Sequence, residues 1–88
     1  MNGPTVTMSS ILSKIAKSEY IIIPGTTVTI CTVTLKNGFV VTGESACASP
    51  ENFNVAEGDR YAFEKCINKI WELEGYLLKE KLYQDSLN

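Results

Sequence analysis

The chain has no histidine, one arginine (Arg60) and no pair of cysteines at metal-ligand spacing. Without imidazole, the commonest general base and a principal zinc ligand are both missing. A nucleophilic Ser45 or Cys47 has to draw its base from Glu44, Asp59 or a lysine, an uncommon arrangement. The run Gly43-Glu44-Ser45 also lacks the closing glycine of a nucleophile elbow. No GxxxxGKS run exists, and Gly38, Gly43 and Gly58 are too dispersed for a dinucleotide fingerprint. These absences point to a binding protein rather than an enzyme, with no catalytic residue, cofactor or metal expected.

Positive charge is also scarce. Eight Lys plus Arg against ten Asp plus Glu give a net charge of −2, the wrong balance for wrapping a long nucleic acid. A small phosphorylated ligand is not excluded, because it needs only a few placed donors. No apolar run approaches the roughly 20 residues that span a bilayer, and "MNGPTVTMSSILSKIAK" lacks the basic start and apolar stretch of a signal peptide. Cys31, Cys47 and Cys66 are odd in number and widely spaced, and read as free thiols in a reducing compartment. A cytoplasmic protein without a membrane partner is the expectation.

What is present suits one small domain, residues 1–88, with 44% apolar and 20% charged residues. A chain this short has a limited core, so association is a natural supplement. Residues 1–8 and 84–88 read as loose ends. Ser9 or Ser10 is placed to cap a short helix with Ile11, Leu12, Ile15 and Ala16 on one side. "EYIIIPG" reads as a short strand and turn. In "TTVTICTVTLK", Cys31, Val33 and Leu35 alternate with Thr32 and Thr34, while Val28 and Ile30 follow the opposite phase, suggesting a bulge or burial on both faces. Asn37-Gly38 predicts a two-residue type I′ hairpin in which Lys36 faces Phe39, Thr34 faces Val41 and Thr32 faces Gly43. Gly43 marks either a bulge or twist point, or the close approach of a ligand or partner backbone.

Asn54 with Glu57 has capping-box spacing, and Ala62, Phe63, Cys66, Ile67, Ile70, Leu73 and Leu77 recur at helical steps behind it. Gly58 weakens the first turn slightly, and Gly75 is a possible kink. The expected fold is α+β: a small antiparallel sheet on a β-hairpin (about 26–36 and 39–46), packed by a long C-terminal helix (about 54–80), with a short N-terminal helix. The helix carries more apolar side chains than such a sheet can cover, which predicts at least a dimer. Phe39, at the hairpin tip, either stacks on a nucleobase or plugs a neighbouring subunit. Arg60 lies near the helix N-terminus, where amides and dipole attract anions, or is an ordinary surface residue.

"TVTLKNGFVVTGESACASPENFN" and "AFEKCINKIWELEGYLL" resemble the small bacteriophage family of the gene product forty-nine/sixty-six type over roughly residues 6–78. The matching elements are Asn37-Gly38-Phe39, Gly43-Glu44-Ser45-Ala46, Asn52-Phe53, Ala62, Lys69-Ile70-Trp71 and Gly75-Tyr76. That family in turn resembles the first Thoeris anti-defence proteins, phage proteins that sequester cyclic ADP-ribose signals. The resemblance implies a homo-oligomer in the host cytoplasm that holds a cyclic nucleotide between subunits without catalysis. It implies that Phe39 stacks on the base, that Ser49 and Asn52 supply hydrogen bonds, and that Arg60, with Lys36, Lys65 or Lys69 as further cations, meets phosphate. The other reading of the residues is a small structural or interaction protein that binds a host protein.

Overall fold

The computed structural model describes residues 5–87. Its elements run α1 (Met8–Ser13), β1 (Ile15–Ile22), β2 (Val28–Leu35), β3 (Val40–Ala46), a 3-10 turn (Pro50–Asn52) and α2 (Val55–Ser86). The three strands form one antiparallel sheet in the order β1-β2-β3, and α2 lies across β2 and β3. This is the α+β architecture expected from separate blocks of period two and period 3.6. The first strand is much longer than its sequence suggested. Of the two ends expected to be loose, residues 1–4 and 88 lie outside the described residues. Thr7 caps α1, accepting from the Ser10 amide at 3.1 Å, and α2 runs on through Ser86. The cap therefore falls two residues before Ser9, and Ile15 opens β1 instead of continuing the helix.

Pro24-Gly25 makes a type II turn between β1 and β2. Gly25 takes φ +77° at the position that requires it, and the Thr26 amide donates to the Ile23 carbonyl at 3.1 Å. The second hairpin corrects the expected register. Gly38 has φ +93°, but among the described residues no non-glycine has positive φ, so Asn37 does not take the type I′ conformation. The Gly38 amide donates to Leu35 O at 2.9 Å and the Leu35 amide to Phe39 O at 2.8 Å. This is a three-residue loop, a type I turn closed by a left-handed glycine. One residue more in the loop shifts every pair: Thr34 faces Val40, Val33 faces Val41, Thr32 faces Thr42 and Cys31 faces Gly43.

The shift decides what is buried. Thr29, Cys31, Val33 and Leu35 all point under α2, while Val28, Ile30, Thr32 and Thr34 stay half-exposed on the open face. No bulge interrupts β2; the odd-phase residue under the helix is Thr29, a polar one, and the irregularity lies in β1 between Ile15 and Lys17. The core is Ile11, Cys31, Val33, Leu35, Val41, Ala62, Cys66, Ile67 and Ile70, with Val6, Ile15, Phe63 and Trp71 against it. The Cys66 thiol donates to Cys31 O at 3.4 Å, and its burial pushes the pKa up to about 12.

Two glycines set how closely helix and sheet pack. A Cβ on Gly43 would stand 2.5 Å from Ala62 O and 2.7 Å from Lys65 Cβ, so the backbone that approaches Gly43 is the chain's own helix. Gly43 sits in a regular ladder, not at a bulge. A Cβ on Gly58 would meet Thr29 Oγ1 at 2.7 Å. Gly58 is thus a packing requirement as well as a weak point of the first turn. Gly75 interrupts nothing: α2 passes through it unbroken.

Candidate functional site

The polar shoulder after β3 folds into a cleft at the start of α2. Ser45 lies at the end of β3, opposite Thr29, and its hydroxyl donates to Gly58 O at 2.7 Å. That bond ties the strand end to the helix start. The chain then leaves the sheet: Thr27 Oγ1 donates to Cys47 O at 2.6 Å and the Cys47 thiol to Ser49 O at 3.1 Å. Ser49-Pro50 opens the 3-10 turn, closed by the Asn52 amide on Ser49 O at 3.1 Å. Asn54 caps α2, its Oδ1 accepting from the Glu57 amide at 3.1 Å, so the capping arm expected from Asn54 is present.

These segments enclose about 220 Å³ lined by Thr27, Ser45, Cys47, Asn52, Phe53, Asn54, Glu57, Gly58 and Tyr61. Past Thr27, Cys47 and Phe53 the cleft opens into a shallower hollow of about 550 Å³ that reaches Gly25, Ala48 and Pro50. Hydroxyl, amide and ring surfaces therefore converge where the first-turn amides of α2 have no carbonyl one turn back. Among the described residues no group of three or more His, Cys, Asp or Glu side chains is placed to hold a metal ion. No described helix is long and apolar enough to cross a membrane.

The residues singled out by sequence fall into two groups. Asn52 lines the cleft; Ser49 does not, contributing only its carbonyl to the turn beside it, and Arg60 is the neighbour of the lining residue Tyr61. The Arg60 guanidinium stacks 4.5 Å from the Tyr61 ring and pairs with Glu64 at 3.3 Å. Phe39 and Lys36 are at the other end of β3, about 20 Å away along the strand. There Phe39, 52% exposed, lines a second groove of about 530 Å³ with Val40, Thr42, Lys69, Glu72, Leu73 and Tyr76. Lys69 reaches over the sheet edge to donate to Thr42 O. Lys36 stays exposed in the turn, where its amide donates to Lys14 O at 2.8 Å. One chain does not bring the five together.

Thr27, Phe53 and Tyr61 are the cleft walls that sequence reasoning did not assign to it. For Tyr61 a signal existed: Asn54, Glu57, Gly58 and Tyr61 recur at i, i+3, i+4 and i+7, one face of the first two turns of α2. Comparison with curated proteins and with solved structures gives no match. Residues 6–82 do match a family profile, and on that span the chain belongs to the Phage protein (N4 Gp49/phage Sf6 gene 66) family.

Proposed function

We propose that this phage-family protein is a non-catalytic binding protein that sequesters a small cyclic nucleotide, in the manner of Thoeris anti-defence proteins, and works as a homo-oligomer in the host cytoplasm. The observation that carries the reading is the cleft at the start of α2, where Asn52, Ser45 and Thr27 converge with the Phe53 and Tyr61 rings. The Phe53 and Tyr61 rings offer stacking surface for a planar base, and the Asn52 amide and the Thr27 and Ser45 hydroxyls offer partners for its edge. Phosphate falls toward the first-turn amides of α2 and Arg60, the one arginine. Phe39 and Lys36, at the far end of β3, take no part in this cleft.

The test is calorimetry of the purified protein against cyclic ADP-ribose isomers and cyclic dinucleotides, followed by denaturation and mass analysis. Binding is expected with at least one, and the compound should return unchanged. Tyr61→Ala and Asn52→Ala should each weaken binding about tenfold or more, the scale of one stacking ring or one buried polar partner. No heat with any compound, from protein shown to be folded, rejects the reading. It leaves an interaction protein for a host partner as the function.

A further inference from the structure

The surface is too large for a molecule that works alone. A compact monomer of 9.7 kDa exposes about 5,100 Å², whereas this chain exposes 6221 Å². The difference, about 1,100 Å², exceeds the roughly 800 Å² per partner that a standard interface buries. The radius of gyration repeats the point, at 16.3 Å against about 12 Å for a compact domain of this length. The cause is α2, whose 32 residues extend about 48 Å, while strands of seven or eight residues extend about 25 Å. Its C-terminal part projects past the sheet.

The projecting part carries a seam. Lys69, Leu73, Tyr76, Glu80, Tyr83 and Leu87 follow one another at steps of 4, 3, 4, 3 and 4, the spacing of a coiled-coil stripe. Its four apolar members are exposed in the single chain, Tyr76 by 71% and Leu87 by 62%. At its N-terminal end the seam borders the groove that holds Phe39, since Lys69, Leu73 and Tyr76 line both.

We propose that a second copy of this chain lies antiparallel along this seam, each projecting helix end resting in the Phe39 groove of the other. The proposal rests on the homo-oligomer reading above and names its interface. The commitment to a second copy comes from charge. With Leu73 set opposite Tyr76 of the other copy, the next layer places Lys69 opposite Glu80, and on the flank Glu72 meets Lys79. Each contact occurs twice about the two-fold axis, and each joins opposite signs. Glu72 and Lys79 form no ion pair within the described chain, so both are free to serve the contact. Phe39 is then a subunit contact.

Sedimentation equilibrium between about 1 and 100 µM tests the assignment, with circular dichroism to confirm the fold of every variant. The wild type is expected to be dimeric or larger by the top of that range. Tyr76→Glu, an exposed site in the monomer, should abolish this contact. Glu72→Lys and Lys79→Glu should each raise the dissociation constant about fivefold or more, because two opposite-charge pairs become like-charge pairs. The double reversal E72K/K79E should restore it. A wild type that stays monomeric overturns this proposal and the homo-oligomer reading together. An oligomer indifferent to Tyr76→Glu, or single reversals that the double fails to rescue, overturns this interface alone.

Discussion

Gly43→Ala tests the closeness of helix and sheet more directly than any other change. The added methyl would stand 2.5 Å from Ala62 O, 2.7 Å from Lys65 Cβ and 2.9 Å from Cys66 N. Normal contacts for these atoms begin about 0.8 Å farther out, and all three belong to the helix frame, so no flexible side-chain tip can yield. The helix has to rise from the sheet directly over Ala62 and Cys66, both fully buried. Overpacking of this kind costs about 1–3 kcal/mol, and the gain from replacing a strand glycine returns about 0.5–1 kcal/mol. A net loss of about 1–2 kcal/mol is expected, a fall of roughly 5–15 °C in Tm for a domain of this size. Urea unfolding followed by circular dichroism measures it, at a protein concentration that keeps the oligomeric state fixed. An unchanged or raised stability would refute the reasoning, and with it the claim that Gly43 is there to admit the helix.

Two further outcomes follow from the buried polar groups. Thr29 is fully buried and its hydroxyl finds no partner among the described residues, so Thr29→Val should stabilise the fold by about 1 kcal/mol in the same unfolding assay; a loss of that size would mean the hydroxyl is satisfied. Cys66, whose pKa burial pushes up to about 12, holds its proton in the native state at pH values where the unfolded thiol, ordinarily near 9, has lost it. Stability from this group is therefore complete below pH 9 and declines as pH rises from there toward 12. Cys66→Ala should flatten that decline, and Cys47 should react with iodoacetamide at pH 8 well before Cys66; equal rates would contradict it.

The long helix was legible because its evidence is redundant: a cap at Asn54 and a three-four rhythm from Ala62 to Ile70 give the same answer. The hairpin was legible in existence but not in register. Asn37-Gly38 serves a type I′ turn and a type I turn with a left-handed glycine almost equally well. The choice falls to the sheet, where only the longer loop sends Val41 and Gly43 under the helix. The phase break at Val28–Ile30 suggested a bulge or burial on both faces because a threonine, Thr29, occupies a core position. Strand length was missed in β1, where Lys17, Ser18 and Glu19 conceal the pattern of an edge strand exposed along nearly its whole length. At the site, Ser49 was legible as the residue before a helix-starting proline, though its hydroxyl makes no capping bond, and Asn52 was singled out by the resemblance alone. Phe53 and Tyr61 were not, because a ring becomes a cleft wall only once β2, β3 and α2 converge. The separation of Phe39 from that cleft follows from the length of β3, which no local motif encodes.

The unequal support along α2 also divides the molecule in time. Its first half, from Gly58 to Ile70, cannot open an amide without lifting Ala62, Cys66 and Ile70 out of the core, so those hydrogens exchange only when the whole domain unfolds. Among the described residues none of α2 beyond Leu78 belongs to the core, and the pairs Lys81–Asp85 and Glu80–Gln84 lie along that part of the helix. In an isolated chain the amides there are expected to exchange faster than those of the first half, which hydrogen exchange would measure. The same 32-residue helix is thus a slow-exchanging clamp at one end and a faster-exchanging arm at the other, whose order depends on what lies against it.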